Sequence, residues 1–162
     1  MAWVAALHQQ QALRGDVVTM RAMKNKTLAV WITFLAGPVG LHRLYLLGRY
    51  DVIGWLLPFP TVLGVYGVLR VRALGVDDAL SWLLIPILGV TLAGCALTAI
   101  VYGLTDAEKW NKRFNPQAAA DAPAGQTGWL TIAGVVSALF LGATVLMATI
   151  AFGVERFFTY TT

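Results

Sequence analysis

Apolar residues fill four stretches of the chain, 27–41, 52–69, 79–104 and 128–154, and every charged residue falls outside them. Continuous runs of this kind predict helices that lie in lipid, because an ionised side chain at the bilayer centre costs roughly 3 kcal/mol. The first run is short. As a helix it covers about 22 Å, against a hydrocarbon core of about 30 Å, so Lys26 and Arg43 are expected to snorkel at its ends. Pro38 lies near its end, and Leu44–Tyr50 reads as a compact connector. Pro58 and Pro60 predict a kinked or interrupted second helix, since proline lacks the amide hydrogen the helix needs. The third and fourth runs are long enough to cross with tilt, the third in spite of Pro86. The fold class expected is therefore an all-α integral membrane protein with four transmembrane helices.

The polar residues complete the organisation: an N-terminal segment 1–23, a helical pair 24–69, a loop and third span 70–104, a polar segment 105–127, and a fourth span with tail 128–162. In the first, Ala6, Leu13, Val17 and Met20 fall at roughly helical spacing, predicting an amphipathic helix on the membrane face or a partly ordered tail. In the fourth, 106–114 reads as a short helix with Thr105 and Glu108 as a capping box. Trp110 and Phe114 there are expected to dip into lipid headgroups, or else to form a docking edge. The start shows no basic lead for a cleaved signal, and no lipidation motif stands out. No internal repeat of 20–50 residues is evident.

Composition sharpens the class. Of 162 residues 58% are apolar and 12% charged, with mean hydropathy +0.69, which argues against a soluble enzyme, a disordered chain or a disulfide-stapled module. The net charge of +4 is spread over both sides of the expected membrane, so no nucleic-acid surface is formed. With four spans, one side holds Arg14, Arg21, Lys24, Lys26, Arg70, Arg72 and Arg156, and the other holds Arg43, Arg49, Lys109, Lys112 and Arg113. The excess beside the first span places both termini in the cytoplasm. Trp31, Trp55, Trp82, Trp129 and Tyr102 sit near span ends as interfacial anchors. Gly134, Ala138 and Gly142 recur every four residues, a face that lets another backbone approach closely, and Gly89 with Ala93 repeats the pattern in the third span.

The most specific string is Gly37-Pro38-Val39-Gly40-Leu41-His42-Arg43-Leu44-Tyr45-Leu46-Leu47-Gly48, followed by Asp51-Val52-Ile53-Gly54-Trp55. Physically it is a tight turn at the membrane surface. Gly37 and Gly40 remove bulk where two helices converge, and Gly40 or Gly48 can take positive φ. Arg43 opposes the negative end of the first helix dipole, Asp51 is a ready partner for Arg43 or Arg49, and both arginines can contact a lipid phosphate. At these residues the chain resembles the TM-two domain (NINE protein) family, whose hallmark is a Gly-x-x-Gly-x-His-Arg-Phe-Tyr-Leu-Gly turn with a basic lead-in, here Lys24-Asn25-Lys26. The resemblance covers about residues 24–69, and the remainder is similar to a bacterial four-span subgroup. Leu44 replaces the usual Phe, and Leu47 lengthens the turn by one residue. The resemblance implies a membrane architecture with no settled activity.

Candidate chemistry is sparse. His42 has no second histidine or cysteine beside it in sequence, so no metal or cofactor is expected, and no nucleophile–base pair predicts a catalytic residue. The spans carry hydroxyls but no ionisable groups of the kind transport paths use. The function expected is non-enzymatic: an accessory or assembly subunit of a larger complex in a bacterial inner membrane, contacting the bilayer and other membrane subunits or itself. The alternative is a small transporter or channel, or a lipid-binding protein.

Overall fold

A computed structural model of the chain describes residues 23–75 and 77–161, so most of the expected amphipathic N-terminal segment lies outside the described residues. Among the described residues the regular elements are helical. They are α1 (Lys26–Ala36), a 3-10 turn (Gly37–Val39), α2 (Leu41–Leu47), α3 (Val52–Leu56), α4 (Pro58–Leu74), α5 (Ala79–Leu104), α6 (Ala107–Phe114), a 3-10 turn (Pro123–Gly125) and α7 (Trp129–Thr161). Three segments are long and apolar enough to cross a membrane: Val52–Leu74, Ala79–Leu104 and Pro123–Thr159.

The expected first span behaves differently. α1 begins at an Asn25 cap, whose side chain accepts from the Leu28 amide, and runs only to Ala36. Gly40 then adopts φ 80° and reverses the chain. α2 runs back until the Tyr45 carbonyl accepts from Lys24 Nζ at 2.5 Å and the Tyr45 hydroxyl accepts from the Asn25 amide at 3.0 Å. Residues 26–47 thus form a helical hairpin with both ends together, where the sequence predicted one span followed by a connector. The reversal fits its neighbour closely. Pro58 has no amide hydrogen to give the Gly54 carbonyl, and a Cβ on Gly40 would lie 2.0 Å from that oxygen. The predicted interruption at Pro58 is a turn at Leu57 between α3 and α4.

α5 is the central helix, with α4 on one flank, α7 on the other and α1 lying on both α5 and α7. α5 and α7 pair antiparallel at matched small residues. Cβ atoms built on Gly89, Gly142 and Gly103 would meet Thr149, Ala96 and Val135. These contacts recur every seven residues along both helices, the period that lets two helices keep one seam in register. On the other flank Gly64 and Gly67 admit Leu88 and Leu84.

Candidate functional site

The expected turn residues form a compact corner. Gly48 ends α2 with φ 93° and ψ 178°, a conformation essentially confined to glycine. Three residues later Asp51 caps α3: its Oδ2 accepts from the Gly54 amide at 2.8 Å and from Arg43 Nε at 2.6 Å, while Oδ1 accepts from Arg43 Nη2 at 3.2 Å. A guanidinium fork on a carboxylate is the strong form of ion pair, and it holds the Asp51 carboxyl below the usual carboxylate range. Arg43 is therefore committed to Asp51, which answers the choice the sequence left between Arg43 and Arg49. Arg49 makes no ion pair among the described residues, and its carbonyl accepts from Trp55 Nε1 at 2.9 Å.

A second corner repeats the first. Gly75 ends α4 with φ 93° and ψ 176°. Asp78 caps α5, accepting from the Ser81 amide at 3.0 Å and from Arg70 Nε and Nη2 at 2.7 and 2.8 Å. Arg70 and Ser81 together hold the Asp78 carboxyl well below its ordinary range. This duplication overturns the expectation that the chain carries no internal repeat of 20–50 residues. At an offset of 27 residues, Gly37, Gly40, Arg43, Leu47, Gly48, Asp51 and Trp55 align with Gly64, Gly67, Arg70, Leu74, Gly75, Asp78 and Trp82. The signal is a Gly-x2-Gly-x2-Arg-x4-Gly-x2-Asp-x3-Trp spacing, which apolar filler between the fixed positions hides.

The basic lead-in is a polar hub rather than a snorkelling fringe. Lys26 is fully buried, and its Nζ donates to the Thr105 carbonyl at 2.9 Å and to Thr127 Oγ1 at 2.6 Å. Thr105 ends α5, so the ammonium sits at the negative end of that helix dipole. The Lys24 amide donates to Asn115 Oδ1 at 2.7 Å, and the Lys24 carbonyl accepts from Trp110 Nε1 at 2.8 Å. Asn111 Nδ2 in turn donates to the Ala120 and Ala122 carbonyls, folding the linker back on α6. Trp110 is fully buried against Phe114 and Tyr102, so it does not dip into headgroups; it docks on its own chain. The capping box is absent too: the Thr105 hydroxyl bonds back to Val101, and Asp106 takes the cap position without a side-chain bond.

The remaining candidates fall within the interior. His42 is buried, and its Nδ1 has no hydrogen-bond partner; it lies beside the Tyr102 ring. Cys95 packs at Gly37. Among the described residues no group of three or more His, Cys, Asp or Glu side chains is placed to hold a metal ion. Gly134 faces Val30 and Trp31, Ala138 is fully buried in a cluster with Val30, Ala96 and Ala99, and Gly142 faces Ala96. The small-residue stripe is consumed inside the molecule. An open cleft of about 480 Å³ remains between the end of α2 and the segment after α6, lined by Met23, Lys24, Leu46, Leu47, Phe114 and Asn115 among others. Comparison with family models, with curated proteins and with solved structures finds no match.

Proposed function

We propose that this chain is a non-enzymatic, multi-pass protein of a bacterial inner membrane that gathers anionic phospholipid headgroups at its cationic end. The cleft carries this reading: Met23, Leu46, Leu47 and Phe114 supply apolar walls and Lys24 a cation. Arg49, Lys112 and Arg113, on the same end, make no ion pair among the described residues. Clustered cations at a membrane surface attract anionic lipid at about 1 kcal/mol each. The non-enzymatic part rests on what the polar side chains do. Arg43, Asp51, Lys26, Asn111 and Asn115 are occupied with one another and with backbone. The resemblance at residues 24–69 to TM-two domain proteins supports the membrane setting.

The test is the lipid retained on purification. The protein extracted in polymer nanodiscs should carry phosphatidylglycerol or cardiolipin above the bulk membrane ratio. An Arg49→Gln, Lys112→Gln, Arg113→Gln triple variant should lose that enrichment while keeping its unfolding temperature. Retained lipid at the bulk ratio in the parent protein sinks the proposal.

The accessory or assembly role remains a second reading, now on a different surface. α4 buries only Gly64 and Gly67, leaving Phe59, Val62, Val65, Tyr66 and Leu69 outward. A stoichiometric membrane protein in the same nanodiscs, released by Val62→Trp or Val65→Trp, would favour it.

A further inference from the structure

We infer that α1 and α2 form a re-entrant hairpin, entering and leaving the bilayer on one side. The chain then crosses three times, with its cationic end in the cytoplasm and the end of α7 on the opposite side. α5 serves as the ruler. Lys26 bonds the Thr105 carbonyl at one end of it, while Gly37 packs against Cys95, ten residues or about 15 Å further in. From that depth the chain turns back, and by Tyr45 and Gly48 it has returned to Lys24 and Met23. It descends to about mid-membrane and comes back.

Irregular backbone at that depth is tolerated only where protein surrounds it and satisfies its polar groups. Both conditions hold at the tip. Gly37, Pro38 and Gly40 are buried, the Gly40 amide bonds the Gly37 carbonyl at 2.8 Å, and the Pro38 carbonyl accepts from Thr61 Oγ1 at 2.8 Å. The second copy of the motif supplies the contrast. Gly64 and Gly67 sit in an uninterrupted helix, and the corner that follows them lies at the far end of α5, beside Asp78. Pro38 and the positive φ of Gly40 are what fold the first copy.

The hairpin also settles the charge count. Four crossings left seven basic residues against five. Three crossings put Lys24, Lys26, Arg43, Arg49, Lys109, Lys112 and Arg113 on one side and only Arg70, Arg72 and Arg156 on the other, among the described residues. Short loops richer in Lys and Arg stay in the cytoplasm.

Single cysteines in a Cys95→Ala background test this with a membrane-impermeant maleimide on spheroplasts. The sites are Met23→Cys, Tyr50→Cys, Asp77→Cys, Asp121→Cys and Thr159→Cys, all at exposed positions. Asp77→Cys and Thr159→Cys should label in intact spheroplasts, and Met23→Cys, Tyr50→Cys and Asp121→Cys only after permeabilisation. Met23→Cys and Tyr50→Cys labelling from opposite sides would overturn the hairpin and restore four crossings. All five sites labelling with the reverse sidedness would overturn the orientation. Neither outcome depends on lipid binding.

Discussion

Gly40 has no room for a methyl group: a Cβ there would lie 2.0 Å from the Gly54 carbonyl oxygen, on a backbone at φ 80°. Gly48 shares the positive φ, yet nothing lies within 4 Å of its built Cβ. The pair separates strain from collision. Gly48→Ala should cost about 1–3 kcal/mol from backbone conformation alone, and Gly40→Ala distinctly more. Thermal unfolding in mild detergent checks the order; equal shifts would mean that the hairpin tip is loosely seated. The two capping aspartates give a pH signature. Their carboxyls are held below the ordinary value in the folded state, chiefly by Arg43 and Arg70. Their contribution is therefore fully present above the unfolded carboxylate value of about 3.9, and is lost as pH falls through the depressed folded values. The unfolding temperature should stay level from neutral pH down to about 5 and drop below about 4. In an Asp51→Asn, Asp78→Asn double variant the drop should be shallower, and an unchanged profile would show that other groups control acid stability.

Among the elements, α7 shows that an interface signal can be legible without naming its partner. The Gly134, Ala138 and Gly142 spacing states that a backbone approaches closely, and α1 and α5 of the same chain supply it. Gly142→Leu should therefore lower the stability of the isolated protein, by about 1–3 kcal/mol or more. Gly94→Leu, on an open helical surface with nothing within 4 Å, should be nearly neutral. Unfolding midpoints measured in one detergent decide it, and a neutral Gly142→Leu would return the stripe to an external partner. The fold is legible in the sequence where physics imposes a continuous constraint. The second, third and fourth apolar runs became long helices because a lipid-facing segment tolerates no charge along its length. The Arg43–Asp51 corner was legible because Gly48 and Asp51 announce a helix end and a helix start. The hairpin was not, because Gly37-Pro38-Val39-Gly40 inside an apolar run fits a kink as well as a reversal. What decides between them is the distant Gly54 carbonyl and Thr61 hydroxyl. Trp110 was misread for a related reason: its helix is amphipathic, and periodicity cannot say whether the apolar face meets lipid or the chain's own start.

Over the whole molecule the polar bonds between distant segments are unevenly distributed. At the cationic end, Lys24 and Lys26 tie α1 to the end of α5 and to the segment after α6, while Thr27 and Trp31 tie it to Thr131 and Leu130 on α7. At the other end the polar ties among the described residues include the Arg70–Asp78 corner, local in sequence, and Arg156 over the Trp82 ring at 4.3 Å. A buried network fails as a unit when one member is removed, because the groups left behind keep their desolvation cost without their bonds. Lys26→Met keeps the volume but strips the Thr105 carbonyl and Thr127 hydroxyl of their donor. Amide exchange in nanodiscs should then quicken throughout 105–127, where the Trp110, Asn115, Ala118, Ala122 and Gly125 amides all hold backbone bonds. Asp78→Asn should leave that region as slow as in the parent and quicken exchange only near the start of α5. If Lys26→Met loosened just its immediate neighbours, the cationic end would be a set of independent contacts. A rise spread evenly over 105–127 would make it one cooperative unit, able to present the cleft beside Phe114 and Asn115 as a fixed shape to whatever it binds.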